Sequence, residues 1–523
     1  MEGFATTEGV SELLRRIHGK GVRIWTDNGL LRYQSPKDAL TPADIDTLRA
    51  LKDDIVEYLQ GCSGPDATEP PLVPRFSSEL LPLTFAQQWE WNRWGPGRRR
   101  FRTVCTATQL SGRLSVDTLR ECVQEMTCRH DSLRTRVVMM DGIVRQIVDE
   151  HSPGELEVID LTGQSEASRD EAARDCIKQL IEEPIEPSVG PLFEAKLLKL
   201  TDSEHVLVTA ADHLVSDGVA TVVMLQDIFE LYSHSLRRNN RSPREGRCVQ
   251  PGDYALWQHR VTASWNMKHG RYWDRRLSGA RRVRVFPNEA VMPRAFSRLA
   301  IQSTQLGQAL SEEIRERSRL EKTTLAMSLL SVYTALIARF CDITDVVIPF
   351  ITVGRDRAEL NQVVGHFVYP LFLRMELNAN DSFSDLLSRA TQEYGAALEH
   401  RDAGRIAARN PPPAFRQNPE FNWMPRELDA RSGTLMDRLG SLDLPIQLRP
   451  YTVKFETEGI EWNVDELREP VLFLSDSQEG VAGGIGYLES CVSLSTIENF
   501  ESAFRMLAAT LARNPDRRIA SVM

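Results

Sequence analysis

The sequence predicts a mixed α/β (α+β) chain in which a small N-terminal unit precedes a much larger region. Three observations carry this. From about residue 78 onward, β-prone apolar runs alternate with amphipathic helical stripes, the pattern of sheets layered against helices. The chain has 523 residues, too many for one core of ordinary size, so two or three domains are expected. Between the two parts, Gly61 to Pro74 holds four prolines and no periodicity, which reads as a semi-extended linker.

Residues 1–60 predict a helix, a β-hairpin and a second helix. Val10, Leu13, Leu14 and Ile17 fall at helical spacing between Gly9 and Lys20. Val22–Trp25 and Leu30–Tyr33 are short β-prone runs around Asn28-Gly29, the strongest short-range hairpin signal. Thr41-Pro42 reads as an N-cap followed by proline at the first helical position. Ile45, Leu48, Leu51, Ile55, Val56 and Leu59 then make one apolar side.

Composition excludes several function classes. The net charge of −10 argues against a generic nucleic-acid binder, which needs a basic face for phosphates. The sharpest basic run, Arg98-Arg99-Arg100, follows Gly95-Pro96-Gly97 and reads as a solvated loop. Eight cysteines are scattered without a C-x-x-C pair, which points to reduced thiols in a reducing cytosol and to no metal site. No basic-then-apolar leader opens the chain, and no apolar run approaches the roughly 20 residues of a membrane helix. The expectation is a soluble, cytoplasmic protein with no membrane partner.

The chemistry concentrates at Ala211-Asp212-His213-Leu214-Val215-Ser216-Asp217-Gly218, directly after the apolar run His205–Ala210. A strand that ends in His, with Asp-Gly four residues on, sets one imidazole at the mouth of a sheet and an acid on the following turn. A neutral imidazole there accepts or holds a proton near neutral pH. This stretch resembles the His-His-x-x-x-Asp-Gly motif of condensation domains in nonribosomal peptide synthetases and of related CoA- and carrier-dependent acyltransferases. His213 stands at the second, active-site His, and Asp212 replaces the first.

Further phrases follow in the order that family shows. Leu83-Thr84-Phe85-Ala86-Gln87-Gln88 with Trp89 resembles the opening motif, and Arg129–Thr135 the second, with Asp131 in place of Glu. Asp253–Gln258 resembles the fourth. Val346–Pro349 through Gly354-Arg355, then Gly365–Val368, resembles the fifth, with Tyr369-Pro370 where Asn-Thr is common. Phe421-Asn422-Trp423 resembles a segment lining the site from a second lobe. The match covers roughly residues 78–523.

The resemblance implies two chloramphenicol-acetyltransferase-like lobes, 78–255 and 256–523, in a V around a central tunnel, after a linker at 61–77. By family analogy Gly218 offers an oxyanion-binding backbone amide, and His213 serves as base or as hydrogen-bonding positioner. Ser216, Tyr369, Asn422 and Trp423 are expected to line the tunnel. Asp217, facing inward, needs a cation, and Arg355 is the expected partner; both are structural. Asp212 is read as structural, pointing away from the tunnel if His213 points in. Asp212 to Asp217 also fits the Asp-x4-Asp signature of heterocyclisation domains, but Ala220 stands where those continue with Ser. His205, His366 and His400 are read as surface or satisfied core histidines.

Residues 1–60 resemble the N-terminal docking domains of the tubulysin-synthetase type, which receive the C-terminal tail of an upstream synthetase subunit on the hairpin edge. That makes Arg23, Arg32 and Lys37 candidates to pair with an acidic tail. The chain shows no carrier attachment site and no nucleotide-binding loop of an adenylation domain. It is therefore expected to bind no cofactor of its own and to act on donor and acceptor carrier proteins that bring 4'-phosphopantetheine arms, in trans or as the leading segment of a longer synthetase. The expected activity is acyl transfer forming an amide. The alternatives are an ester-forming or heterocyclising variant and a non-catalytic recruitment platform.

Overall fold

A computed structural model describes residues 23–27, 30–34, 40–52, 55, 70–74, 80–94, 103–150, 154–183, 185–237, 248–286, 296–378, 380–402, 418–425, 433–451, 461–463, 469–477 and 479–519. The helix expected between Gly9 and Lys20, Lys37, the Arg98–Arg100 cluster and residues 61–69 of the linker lie outside them.

Arg23–Asp27 (β1) and Leu30–Gln34 (β2) pair antiparallel, with Arg23 opposite Gln34, Trp25 opposite Arg32 and Asp27 opposite Leu30. The pairing flanks Asn28-Gly29, as the hairpin signal predicts. Pro42–Ala50 (α1) begins where Thr41 predicts it. The Asp44 N–H donates to Thr41 Oγ1 at 3.2 Å and the Thr41 N–H donates back to Asp44 Oδ2 at 2.9 Å, a reciprocal cap.

The larger region runs β3 (Leu81–Pro82), α2 (Phe85–Trp94), β4 (Thr103–Gly112), α3 (Val116–Arg129), β5 (Thr135–Met140), β6 (Ile143–Val148), β7 (Leu156–Asp160), α4 (Glu166–Glu182), β8 (Phe193–Lys199), β9 (Glu204–Asp212), α5 (Gly218–Leu236) and α6 (Pro251–Leu277). It continues β10 (Phe296–Leu306), α7 (Gly307–Leu320), α8 (Leu325–Cys341), β11 (Asp345–Thr352), β12 (Tyr369–Glu376), α9 (Phe383–Glu399), β13 (Glu420–Met424), α10 (Gly433–Gly440), β14 (Ile446–Pro450), β15 (Glu461–Asn463), β16 (Val471–Ser477), β17 (Gly480–Leu488) and α11 (Leu494–Arg513).

The first lobe holds a five-stranded sheet in the order β14-β4-β9-β8-β7. Its strand β9 is buried on both faces, which is why it reads as a continuous apolar run. Leu207 and Ala211 pack toward α3 and α5, whereas Val206, Val208 and Ala210 pack toward Ala173, Ile177 and Leu180 of α4. Helix α5 is apolar nearly all round and correspondingly buried, with Phe229 and Tyr232 fully enclosed. A small sheet, β3-β6-β5, stands beside this one.

The second lobe holds a seven-stranded sheet in the order β12-β11-β13-β16-β17-β10-β15. Helices α8, α9 and α11 cover it in one cluster that includes Tyr333, Phe383, Phe421, Phe500 and Phe504. Strands β11, β13 and β16 are parallel neighbours, which aligns Phe350, Phe421 and Leu472 in register. Among the described residues no single helix is long and apolar enough to cross a membrane.

Chain order and lobes do not coincide as the division at 255/256 expects. That boundary falls inside α6, and Gly433–Pro450 leaves the second half of the chain to complete the first sheet. There β14 pairs antiparallel with β4, from Ile446 opposite Gly112 to Pro450 opposite Thr108. Helix α6 binds the two halves through Tyr254, Trp257, Val261 and Trp265, which pack with Phe85, Leu360, Val363 and Phe367. Local periodicity carries no record of which sheet a strand will join, so this exchange was invisible in the sequence.

Candidate active site

The turn that follows β9 is built by its own side chains. Asp212 Oδ1 accepts the Leu214 N–H at 2.8 Å, and the Asp212 carbonyl accepts the Val215 N–H at 3.0 Å. This is the local turn chemistry at which Asp excels, and it gives Asp212 a structural place. Asp217 then caps α5, its Oδ1 accepting the Ala220 N–H at 2.7 Å. The consequence is selective. Of the ten residues from Ala211 to Ala220, only His213 and Gly218 are not buried.

His213 is held in one tautomer. Its Nδ1 lies 2.7 Å from the Ser216 carbonyl oxygen. A carbonyl only accepts, so Nδ1 carries the proton and the lone pair is on Nε2. Ser216, expected to line the tunnel, is instead fully buried, and it contributes through its backbone carbonyl.

Asp217 and Arg355 are brought together from opposite halves of the chain. Arg355 Nη2 donates to Asp217 Oδ1 at 3.1 Å, with the carboxylate 0% and the guanidinium 4% exposed. The other Asp217 oxygen accepts the Phe367 N–H at 3.0 Å. Arg355 Nη1 donates to the carbonyls of Leu360 and Val363 at 2.6 and 2.7 Å, and the guanidinium lies over the Phe367 ring at 4.6 Å. Buried charges persist only when paired and hydrogen-bonded in this way. Gly354 makes the approach possible. It has φ +68°, and a Cβ there would stand 1.9 Å from the Phe367 carbonyl oxygen.

His366, read from the sequence as a surface or core histidine, reaches the site. Its Nδ1 is 3.1 Å from His213 Nδ1, and the two rings meet edge to face with centroids 4.8 Å apart. The one sequence cue was its position beside Phe367 in the Gly365–Val368 phrase; a contact across 153 residues leaves no local signal.

The remaining expected residues separate. Tyr369 and Trp423 line a cavity of about 390 Å³ with Phe350, Thr352, Arg355 and Tyr394, and His213 is not among its lining residues. Strand alternation turns Trp423 with Phe421 toward the helix layer. The same alternation sets Asn422 with Met424, whose Cε would lie 2.7 Å from a Cβ built on Gly218. Arg23 and Arg32 lie on β1 and β2. His205 is buried, which with the Lys199 charge pulls its imidazole below the usual histidine range. His400 pairs with His269. Among the described residues no group of His, Cys, Asp or Glu is arranged to hold a metal ion.

A family model described as Condensation domain matches residues 77–406, and one described as TubC N-terminal docking domain matches residues 10–61. Tyrocidine synthase 3 of Brevibacillus parabrevis is 26% identical over 422 residues, which cover 79% of this chain and 6% of that protein. The chain thus spans a small part of the curated relatives it matches. Among solved structures, the X-domain from teicoplanin biosynthesis superposes with a TM-score of 0.72 at 20% identity, covering 86% of this chain and 99% of that one. The condensation domain from monacolin K polyketide synthase MokA gives a TM-score of 0.68 at 19% identity, covering 84% and 99%. These likenesses show a shared fold. With the matched span of 77–406 covering more than half its length, the chain belongs to the condensation domain family.

Proposed function

We propose that this chain joins a carrier-bound acyl group to the amine of a second carrier-bound substrate, forming an amide in nonribosomal peptide biosynthesis. The carrying observation is that the turn after β9 leaves only His213 and Gly218 unburied. His213 Nε2 accepts the proton of the attacking amine as the C–N bond forms. The C–S bond of the thioester breaks, and the proton leaves with the thiolate sulfur. The Gly218 N–H, first in α5 and among the amides a helix cannot pair internally, faces the developing oxyanion. Holding both reactants in place replaces part of a bimolecular entropy cost, on the order of 7–11 kcal/mol for ideal alignment. The two substrates arrive on donor and acceptor carrier proteins whose 4'-phosphopantetheine arms enter between the lobes from opposite faces.

Residues 1–60 receive the C-terminal tail of an upstream subunit, which adds a strand to the β1–β2 hairpin while Arg23, Arg32 and Lys37 meet its acidic side chains. The match at 10–61 supports this reading.

One observation favours a second reading. The Met424 methyl group already occupies the space where a Cβ on Gly218 would stand, 2.7 Å from that position. A condensation-like platform that recruits another enzyme without catalysis has no need of that space, and a solved complex pairs the teicoplanin X-domain with OxyB.

Incubation with loaded donor and acceptor carriers, followed by mass spectrometry, decides between them. Amide product is expected, falling by about 100- to 10,000-fold in His213→Ala. No product from a wild type that still binds both carriers would favour the platform, and a full rate in His213→Ala would remove the catalytic assignment. Reversing Arg23, Arg32 and Lys37 to Glu is expected to weaken coupling to an acidic-tailed upstream subunit by about tenfold. Equal coupling would refute the docking assignment.

A further inference from the structure

We infer that His366 is a positioning residue that acts through His213, taking a second share of the proton on His213 Nδ1. The inference deepens the reading of His213 as the base and rests on it.

The geometry fixes the roles of all three nitrogen and oxygen atoms involved. His213 Nδ1 stands 2.7 Å from the Ser216 oxygen and 3.1 Å from His366 Nδ1. The carbonyl has no proton to give, so the proton is on His213 Nδ1. His366 Nδ1 then meets that N–H with its lone pair, and His366 carries its own proton on Nε2. One donor is thereby shared between two acceptors, a three-centre arrangement. The two rings stand perpendicular, at 88°.

His366 is also fixed from outside. It is 1% exposed, and its neighbours on both sides are tied to the buried ion pair: the Gly365 carbonyl accepts from Arg355 Nη2 at 3.3 Å, and the Phe367 N–H donates to Asp217 Oδ2. Asp217 therefore caps the helix that starts at Gly218 and also locates the imidazole that leans on His213.

The consequence is chemical. When His213 Nε2 takes the amine proton, the ring becomes a cation whose Nδ1–H is already shared by two acceptors, and a hydrogen bond gains strength when its donor is charged. His366 forms and breaks no covalent bond. A protonated His366 at this distance would repel the cation, so it serves as the neutral partner.

The test uses the full chain with loaded carriers. His366→Leu is expected to lower kcat by about 10- to 100-fold, the size of one hydrogen bond to a charged group, with little change in KM for either carrier. His366→Asn, which keeps an acceptor oxygen near the Nδ1 position, is expected to recover most of that loss. A wild-type kcat in folded His366→Leu, or equal impairment by Leu and Asn, would overturn the inference. A second measurement reads the wild type itself: nitrogen NMR of the 15N-histidine-labelled chain, with the His366 signals assigned by their loss in His366→Asn. His366 is expected to be protonated on Nε2 and bare on Nδ1, and the opposite tautomer would overturn the inference. If His213→Ala abolishes turnover while His366→Leu does not impair it, this inference fails alone. If His213→Ala keeps its rate, the reading of His213 as base fails and this inference falls with it.

Discussion

Two histidine pairs in this molecule share a geometry and differ in their surroundings. His213 and His366 place their Nδ1 atoms 3.1 Å apart, and His269 of α6 and His400, at the end of α9, place theirs 2.8 Å apart. The second pair belongs to a stacked aromatic cluster, with Tyr272 over His400 at 4.1 Å and Trp273 Nε1 donating to the His400 carbonyl at 2.8 Å. The first is set in a capped turn, with a backbone carbonyl on Nδ1 and a helix start beside it. Two imidazoles in contact therefore do not define a site. What singles out the first pair is the backbone that fixes its tautomer and presents it beside a helix amide.

That contrast breaks most readily through the ion pair. Arg355→Leu leaves the Asp217 carboxylate buried without its cation, so a loss of about 3–5 kcal/mol is expected in denaturant unfolding. In the protein that remains folded at low temperature, turnover should collapse while the His269–His400 contact persists. Retention of full stability would mean the pair is not what joins the two halves of the site. His400→Phe sharpens the comparison from the other side. It keeps an aromatic surface under Tyr272 and removes a hydrogen bond, so stability should fall by about 0.5–1.5 kcal/mol with kcat unchanged. A loss of turnover as large as that of His213→Ala would erase the distinction between the pairs.

His205, at the opposite end of β9 from His213, gives the smallest effect. Burial and the Lys199 charge depress its folded value below the usual 6.5. Above that pH the ring is neutral in both states and contributes no pH dependence. As pH falls below about 6.5 the unfolded chain binds a proton that the fold resists, so stability declines until the folded value is passed. His205→Leu should flatten this part of the unfolding-versus-pH curve by on the order of 1 kcal/mol or less. An unchanged slope between pH 7 and 5 would show that His205 charges as easily folded as unfolded.

Much of this was legible in the sequence because it is local. The Thr41 cap, the Asn28-Gly29 hairpin and the turn from Asp212 to Gly218 each depend on side chains bonding backbone within a few residues, and each reads directly from residue type and spacing. The Asp217–Arg355 pair was also accessible, since a buried carboxylate demands a cation and the motif order offered one. Other features follow from pairing across long loops. The transfer of β14 to the first sheet, the contact of His366 with His213, and the grouping of Trp423 and Tyr369 around one cavity all depend on strand register and lobe packing, which no local pattern records. Ser216, expected to line the tunnel, is buried and acts through its backbone carbonyl, a role that residue type does not signal.

The most direct test is a crystal structure of the chain with a carrier protein bearing a non-reactive acceptor mimic. The amine nitrogen is expected within about 2.6–3.2 Å of His213 Nε2, with the donor side open toward the Gly218 N–H. An amine lodged in the Tyr369–Trp423 cavity, or a His213 ring turned so that Nε2 meets the Ser216 carbonyl, would contradict the account.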